Sequence, residues 1–167
     1  MTMLRKVFNA NGGAAAAEFA MILPLSLLLL FTALEAGHYM YQRHQVVKGL
    51  RDGARFAARH SFDDINCRGG SGTIDGDLRD NVINLTRTGQ ISGGSPRVKN
   101  WQIGDITINV TCPTAAESET GIFEAAEPAP QVNISTSFTY DSFFNGLGVV
   151  NDSFRLGGSQ QAIVMGI

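Results

Sequence analysis

The sequence lacks the patterns that most enzymes and nucleic-acid binders carry. It has no nucleophile elbow, no phosphate-binding glycine loop and no HExxH motif, so we expect no enzymatic activity. Its charges nearly cancel, at a net −2, which excludes a strongly basic nucleic-acid binder as well as a disordered tail. The 2 cysteines form no CxxC pair and the 3 histidines lack acidic or cysteine partners at ligand spacing. We therefore expect no metal and no cofactor.

One long stretch near the N-terminus lacks charge altogether. No charged side chain occurs between Glu18 and Glu35, and the leucine-rich run there extends back through alanines to Ala14. The resulting segment, 14–34, reaches the roughly 20 residues that a membrane-spanning helix needs. We favour a transmembrane helix over a buried core helix, because the remaining chain is too small and too polar to cover a helix that is apolar all round.

A cleaved secretory signal peptide is a second interpretation of the same segment. Arg5 and Lys6 would be its basic start and the leucine-rich run its apolar centre. However, no small-x-small cleavage site follows the run, and Glu18 lies at its beginning, where an ordinary signal peptide has no charge. A charged side chain inside a membrane costs about 2.5–3.5 kcal/mol on insertion scales, so we expect Glu18 to have a function and a partner.

The residues around Glu18 resemble the processing site of a type IV prepilin. A short basic leader ends at Gly13, and four alanines, Glu18, Phe19 and the apolar helix follow. Three further segments narrow the resemblance to the TadE-like pseudopilins, which are minor pilins of the tight-adherence (Flp/Tad) pilus system: Leu23-Pro24-Leu25, Glu35-Ala36-Gly37 and the RDGARFAA sequence of 51–58. The resemblance is strongest over 12–60 and only general over 61–167.

The resemblance implies a processing step and a functional glutamate. A membrane prepilin peptidase would cut between Gly13 and Ala14, so that residues 1–13 form a leader and Ala14 acquires a free α-amine. Such an amine ordinarily has a pKa of about 7.7–8.0 and is largely cationic at neutral pH. It would pair with the carboxylate of Glu18, in the same chain or in a neighbouring subunit. In the family this glutamate, here followed by Phe19, serves processing or assembly.

The resemblance also implies where the protein works and with what. The chain would cross the bacterial inner membrane once, hold its C-terminal domain in the periplasm and enter an extracellular pilus. Its partners would be the prepilin peptidase, the major pilin and other minor pilins, the inner-membrane assembly platform and the lipid bilayer. Charge alone favours the opposite orientation, since the flank after the span is more basic than Arg5 and Lys6.

The helix is expected to continue beyond the span into a basic stalk over 36–60. Within the span, Pro24 predicts a kink, because it removes one backbone donor and crowds the preceding turn. One face of the stalk carries apolar and small side chains at helical spacing: Tyr39, Val46, Leu50, Ala54 and Ala57. Its basic side chains have three open interpretations, namely a solvated face, contact with anionic lipid head groups and contact with the acidic part of another subunit.

The region 61–167 has the pattern of a small extracytoplasmic α+β head domain. Hydrophobic periodicity and turn residues predict its elements: a helix over 75–88 capped by Asp75 or Asp77, strands over 106–112, 132–140 and 162–167, Gly/Ser-rich loops over 68–73 and 90–96, and a long acidic loop over 114–130. The predicted fold class is therefore α+β. The pilin resemblance implies that the long N-terminal helix, 14–60, packs on a small antiparallel β-sheet.

The two cysteines of the head, Cys67 and Cys112, leave two states open. A disulfide is compatible with a location outside the cytoplasm, and two unpaired buried thiols are the alternative. We favour the disulfide.

The sequence thus supports two functions of different kinds. The first is a minor pilin or pseudopilin that is processed by prepilin peptidase and acts in the assembly, initiation or capping of a Tad/Flp (type IVc) pilus, and so in adhesion. The second is a periplasmic sensor or binding domain on a single-pass membrane anchor that is never processed.

Overall fold

One long helix, one short helix and two small antiparallel sheets make up the described part of the protein. The computed structural model describes residues 12–114, 117, 128–144 and 154–166. Its elements are, in order, α1 (Gly12–Ala57), β1 (Ile65–Asn66), β2 (Thr73–Ile74), α2 (Gly76–Thr88), a 3₁₀ turn (Ile103–Asp105), β3 (Ile106–Thr111), β4 (Gln131–Thr139) and β5 (Arg155–Ile163). The predicted α+β class is confirmed. Residues 1–11 of the expected leader and most of the expected acidic loop lie outside the described residues.

Helix α1 joins the predicted span and the predicted stalk without a break. It runs for 46 residues and continues through Pro24. Its side chains are exposed from Gly13 to Leu30, and the first buried one is Glu35. The helix therefore has a bare apolar half and a half that packs on the head. The kink expected at Pro24 stays a prediction.

The packed half of α1 uses the face that its spacing predicts. Val46, Leu50 and Ala57 are fully buried and Ala54 nearly so, while Tyr39 packs at the margin of the same core. They meet side chains from α2 and from the sheet, among them Val82, Ile134 and Leu156. The long helix is therefore one wall of a single hydrophobic core, as the pilin resemblance implies.

The larger sheet has three strands in the order β3-β4-β5, all antiparallel. At its centre, Ile134 of β4 pairs with Ile108 on one side and Gln160 on the other. Alternate residues of β4 point into the core, as its sequence pattern predicts. Since neighbouring strands are antiparallel, the end of β4 and the beginning of β5 lie at the same edge of the head.

The last strand was expected over 162–167 and that expectation is wrong. Strand β5 runs from Arg155 to Ile163, and the chain then leaves the sheet, with the Val164 amide bonded to the Pro130 carbonyl and the Met165 amide to the Ala58 carbonyl. Most of β5 is glycine, serine and glutamine without apolar alternation. Its place comes from backbone pairing with β4, which side-chain pattern does not report.

Helix α2 begins and ends at residues that its sequence marks. The Asp75 carboxylate accepts hydrogen bonds from the amides of Asp77 and Leu78, so Asp75 is the cap. Gly89 ends the helix with a left-handed φ of 84°, which glycine adopts without strain.

A disulfide links the ends of β1 and β3 in the head. Cys67 directly follows β1 and Cys112 directly follows β3, and their Cα atoms are 5.6 Å apart. The bond closes a loop over a sequence separation of 45 residues. The disulfide favoured from the sequence is therefore present.

Candidate functional site

The apolar half of α1 is not covered by the rest of the chain. Met21, Leu25 and Leu29 are 79%, 60% and 61% exposed, and every side chain from Gly13 to Leu30 is exposed. Among the described residues this is the one helix long and apolar enough to cross a membrane. A soluble domain does not leave so large an apolar surface in water, so the arrangement is compatible with single-pass membrane anchoring.

The residues of the expected cut and of the expected assembly site lie on the first turns of this helix. Gly13, Ala14, Glu18 and Phe19 are all exposed, and Phe19 is 63% exposed. Among the described residues, none forms a hydrogen bond or ion pair with the Glu18 carboxylate. These four residues therefore lie together at the beginning of the apolar surface.

A second group, which we call the neck cluster, joins α1 to the head just beyond the apolar half. It consists of Glu35, His38 and Gln42 on α1 and Tyr140 at the end of β4. Glu35 is only 2% exposed, although it is the first charged residue after the apolar run. The Tyr140 hydroxyl lies 2.6 Å from Oε1 of Glu35 and 2.9 Å from Nδ1 of His38. Nε2 of His38 lies 2.9 Å from the side-chain amide nitrogen, Nε2, of Gln42.

One assignment of protons satisfies all three contacts of the neck cluster. Tyr140 donates to the Glu35 carboxylate, Nδ1 of His38 donates to the Tyr140 oxygen, and the Gln42 amide donates to Nε2 of His38. The second carboxylate oxygen of Glu35 is buried and has no partner among the described residues. A buried carboxylate is costly unless it accepts hydrogen bonds, and Tyr140 provides the one that Glu35 has within the described part of the chain. This hydrogen bond therefore attaches the end of β4 to α1.

Burial and the neighbouring Glu35 carboxylate raise the pKa of the Tyr140 phenol well above its ordinary value of about 10. Because the folded state holds the Tyr140 proton more tightly than the unfolded state does, the protonated phenol stabilises the folded state. This contribution is complete below about pH 10 and is lost as the pH rises further.

We expect an alkaline absorbance titration of the chain, which has 3 tyrosines, to contain a late step from Tyr140. Tyr140→Phe removes that step, whereas Tyr41→Phe, at a residue 62% exposed, keeps it. A late step that survives in Tyr140→Phe would contradict the assignment.

Opposite the core, the stalk presents a continuous basic surface. Arg43, His44, Lys48, Arg51 and Arg55 are exposed and border a shallow cleft of about 690 Å³. Asp52, the acidic residue that borders the same cleft, is paired with Arg97 of the head at 2.7 Å. The surface therefore keeps its positive charge. Solvent, lipid head groups and an acidic subunit remain its three possible environments.

The neck cluster is the part of the site that sequence reasoning missed. The sequence presents Glu35 only as part of the Glu35-Ala36-Gly37 segment of the resemblance, and it indicates no role for His38, Gln42 or Tyr140. A signal did exist, since the three helical residues recur at spacings of three and four and continue the buried face into the end of the span. Their partner Tyr140 is distant in sequence, and only the fold brings it there.

A long helix that is bare and apolar at its start, and that carries a small α+β head on its second half, has a pilin-like architecture. The family model described as TadE-like protein matches residues 13–55. The resemblance seen in the sequence is thereby confirmed over the segment that holds Glu18, Pro24 and the neck residues of α1, and it indicates a role related to the pilins of the Tad system. Neither the curated proteins nor the solved structures contain a match to the chain.

Proposed function

We propose that the chain is a TadE-like minor pilin or pseudopilin, cut between Gly13 and Ala14 by a prepilin peptidase. The mature chain, 14–167, rests in the bacterial inner membrane with its head in the periplasm. It then takes part in the assembly, initiation or capping of a Tad/Flp pilus, together with the major pilin, other minor pilins and the assembly platform. Its role in adhesion is structural and not enzymatic.

The observation that carries this proposal is the coincidence of the family match with a bare apolar helix. The match begins at Gly13, on the leader side of the proposed cut, and includes Glu18. The apolar side chains that follow, up to Leu30, are not packed against any described residue of the head. Identical or similar helices of other subunits would cover them in a pilus, and lipid would cover them before assembly.

The first test is the N-terminus of the protein isolated from its native host. We expect N-terminal sequencing and intact mass to show a chain that begins at Ala14. Gly13→Glu introduces a bulky charged side chain at the cut, and we expect it to leave an uncut chain that begins at Met1. Gly12→Ala is the matched control, because it changes the neighbouring glycine and is expected to leave the cut in place.

The same measurement separates the two functions. A wild-type protein that retains Met1 would overturn the pilin proposal and would support an unprocessed, membrane-anchored periplasmic sensor or binding domain. A chain that begins elsewhere, for example after Ala36, would indicate a secretory signal peptide instead.

A further inference from the structure

The head packs on the stalk, and two of its segments also lie beside the last residues of the span. The ring of Phe144 lies 5.0 Å from the ring of Phe31, centroid to centroid. Phe154 borders an apolar cavity of about 270 Å³ together with Thr32 and Ala36 of α1. Phe31 and Thr32 belong to the segment 14–34 that forms the span. The chain just beyond β4 and the residue that precedes β5 therefore lie at the level where the span ends, the first in ring contact with α1 and the second across a shared cavity.

Helix geometry sets the depth of these contacts. Phe31 lies three residues before Leu34, the last residue of the span, which is about 4.5 Å along the helix at about 1.5 Å per residue. On the other side of Leu34, the ring of Phe143 packs 3.8 Å from the ring of His38, centroid to centroid. His38 lies about 6 Å beyond Leu34 by the same rise. The head-group layer of a bilayer is about 5–8 Å thick on each side, so the Phe143 ring falls within it, while the rings of Phe31 and Phe144 lie just on the hydrocarbon side of its inner border.

Three apolar side chains at this level are exposed, while Phe31 and Phe144 are half-buried against each other. Phe143 is 68% exposed, Phe154 54% and Leu34 53%. Single exposed apolar residues are common on soluble proteins, and this head has others, such as Met165. What distinguishes Phe143 and Phe154 is their position beside the end of an apolar helix that the proposed function places in lipid before assembly. Glu35, the one carboxylate at this level of α1, is covered by Tyr140 and is withdrawn from the lipid.

We propose that the membrane-facing edge of the head, formed by Phe143, Phe144 and Phe154, inserts into the interfacial layer of the bilayer that holds α1. The inference rests on the membrane span of the proposed function and adds a second attachment to it. The head then lies against the membrane in a fixed orientation, because amphipathic and aromatic edges partition into this layer. The neck cluster keeps that edge at the correct height on the helix.

The test uses tryptophan as a depth probe in the full chain reconstituted into vesicles of zwitterionic lipid. The chain has 1 tryptophan, Trp101, which is fully buried and provides the background signal to subtract. The variants Phe143→Trp and Phe154→Trp place a probe on the proposed edge. Leu25→Trp places one in the middle of the span. Met165→Trp is the matched control, since Met165 is 61% exposed and its amide bonds to Ala58 at the far end of the helix.

We expect the two edge probes to lose emission when the lipid carries bromine on the acyl chain near the head group, and less when the bromine is deep. Leu25→Trp is expected to show the reverse order, and Met165→Trp no loss. Edge probes that behave like Met165→Trp, while Leu25→Trp is quenched, would overturn the inserted edge and leave the span intact. An unquenched Leu25→Trp would overturn the span itself, and the inserted edge with it.

Discussion

Replacement of Gly49 by alanine is expected to lower the free energy of unfolding of the head by about 3 kcal/mol, at the upper end of the usual range for overpacked cores. The new Cβ atom would fall on the backbone carbonyl oxygen of Thr86 and lie 3.0 Å from a ring carbon of Trp101. Because this oxygen belongs to the backbone of α2, it cannot swing aside as the end of a flexible side chain can. Helices α1 and α2 would therefore have to separate at the centre of the core.

The matched control lies on the same helix. At Gly37 an added Cβ atom meets nothing within 4 Å. Gly37→Ala is expected to raise stability by a few tenths of a kcal/mol up to about 1 kcal/mol, because alanine favours a helix more than glycine does. Denaturant unfolding in detergent micelles, followed by the emission of buried Trp101, measures both variants. Equal midpoints for Gly49→Ala and Gly37→Ala would show that the close approach of the two helices is not required.

Gly53, one turn after Gly49, allows a clash with a side chain to be distinguished from a clash with the backbone. At Gly53 the added Cβ atom would fall on the hydroxyl oxygen of Thr86 and not on the backbone. Thr86→Ala removes that oxygen. We therefore expect the double variant Gly53→Ala/Thr86→Ala to recover part of the loss, whereas Gly49→Ala/Thr86→Ala recovers none. A double-mutant cycle on the unfolding free energies isolates this coupling, since both pairs are in direct contact.

The pattern of the sequence predicted those parts of the fold in which one face of an element is buried. The apolar face of the stalk, the cap of α2 and the alternation of β3 and β4 are all found where expected, because burial selects side chains at fixed spacing. Small residues on that face of the stalk, such as Ala54 and Ala57, permit the close approach of another element. The structure adds the partner, since Gly49 and Gly53 both face Thr86 of α2.

The parts that could not be predicted depend on partners distant in the chain. Strand β5 has little apolar content and is placed by backbone bonds to β4. In the sequence, Glu35 is an ordinary charged residue at the end of a span. In the structure it is covered by Tyr140, which lies more than a hundred residues later in the chain. Sequence spacing reports which face of an element is buried, but it does not report which group from elsewhere covers that face.

Loss of the Glu18 carboxylate is expected to have the largest effect on function, because this one group both weakens membrane partition and offers a charge for assembly. Near the bilayer centre a charge costs about 2.5–3.5 kcal/mol, and near the edge less. We expect Glu18→Ala to remain in the membrane fraction, since removal of the charge favours partition into lipid. We also expect it to be strongly depleted from pili sheared from cells that express it in place of the wild type.

The reason for the expected depletion lies in the pairing that the proposed cleavage would make available. After the cut, the α-amine of Ala14 begins a helix in which Glu18 lies one turn further on, about 6 Å along the axis. A subunit that enters a pilus must bring this amine out of contact with water, and a carboxylate in its own chain or in the neighbour neutralises it. Glu18→Gln keeps the shape without the charge and is expected to fail like Glu18→Ala, whereas Glu18→Asp is expected to retain partial assembly.

One further readout and one control variant complete the experiment. The N-terminus of each variant shows whether the cut still occurs, so that a loss of processing is distinguished from a loss of assembly after normal processing. Asp80→Ala is the control, because it removes an exposed carboxylate from α2 in the head and is expected to leave pili unchanged. Normal piliation with Glu18→Ala would contradict the role assigned to this residue, and the charge at the start of the span would then be no more than an interfacial side chain that reaches back to water.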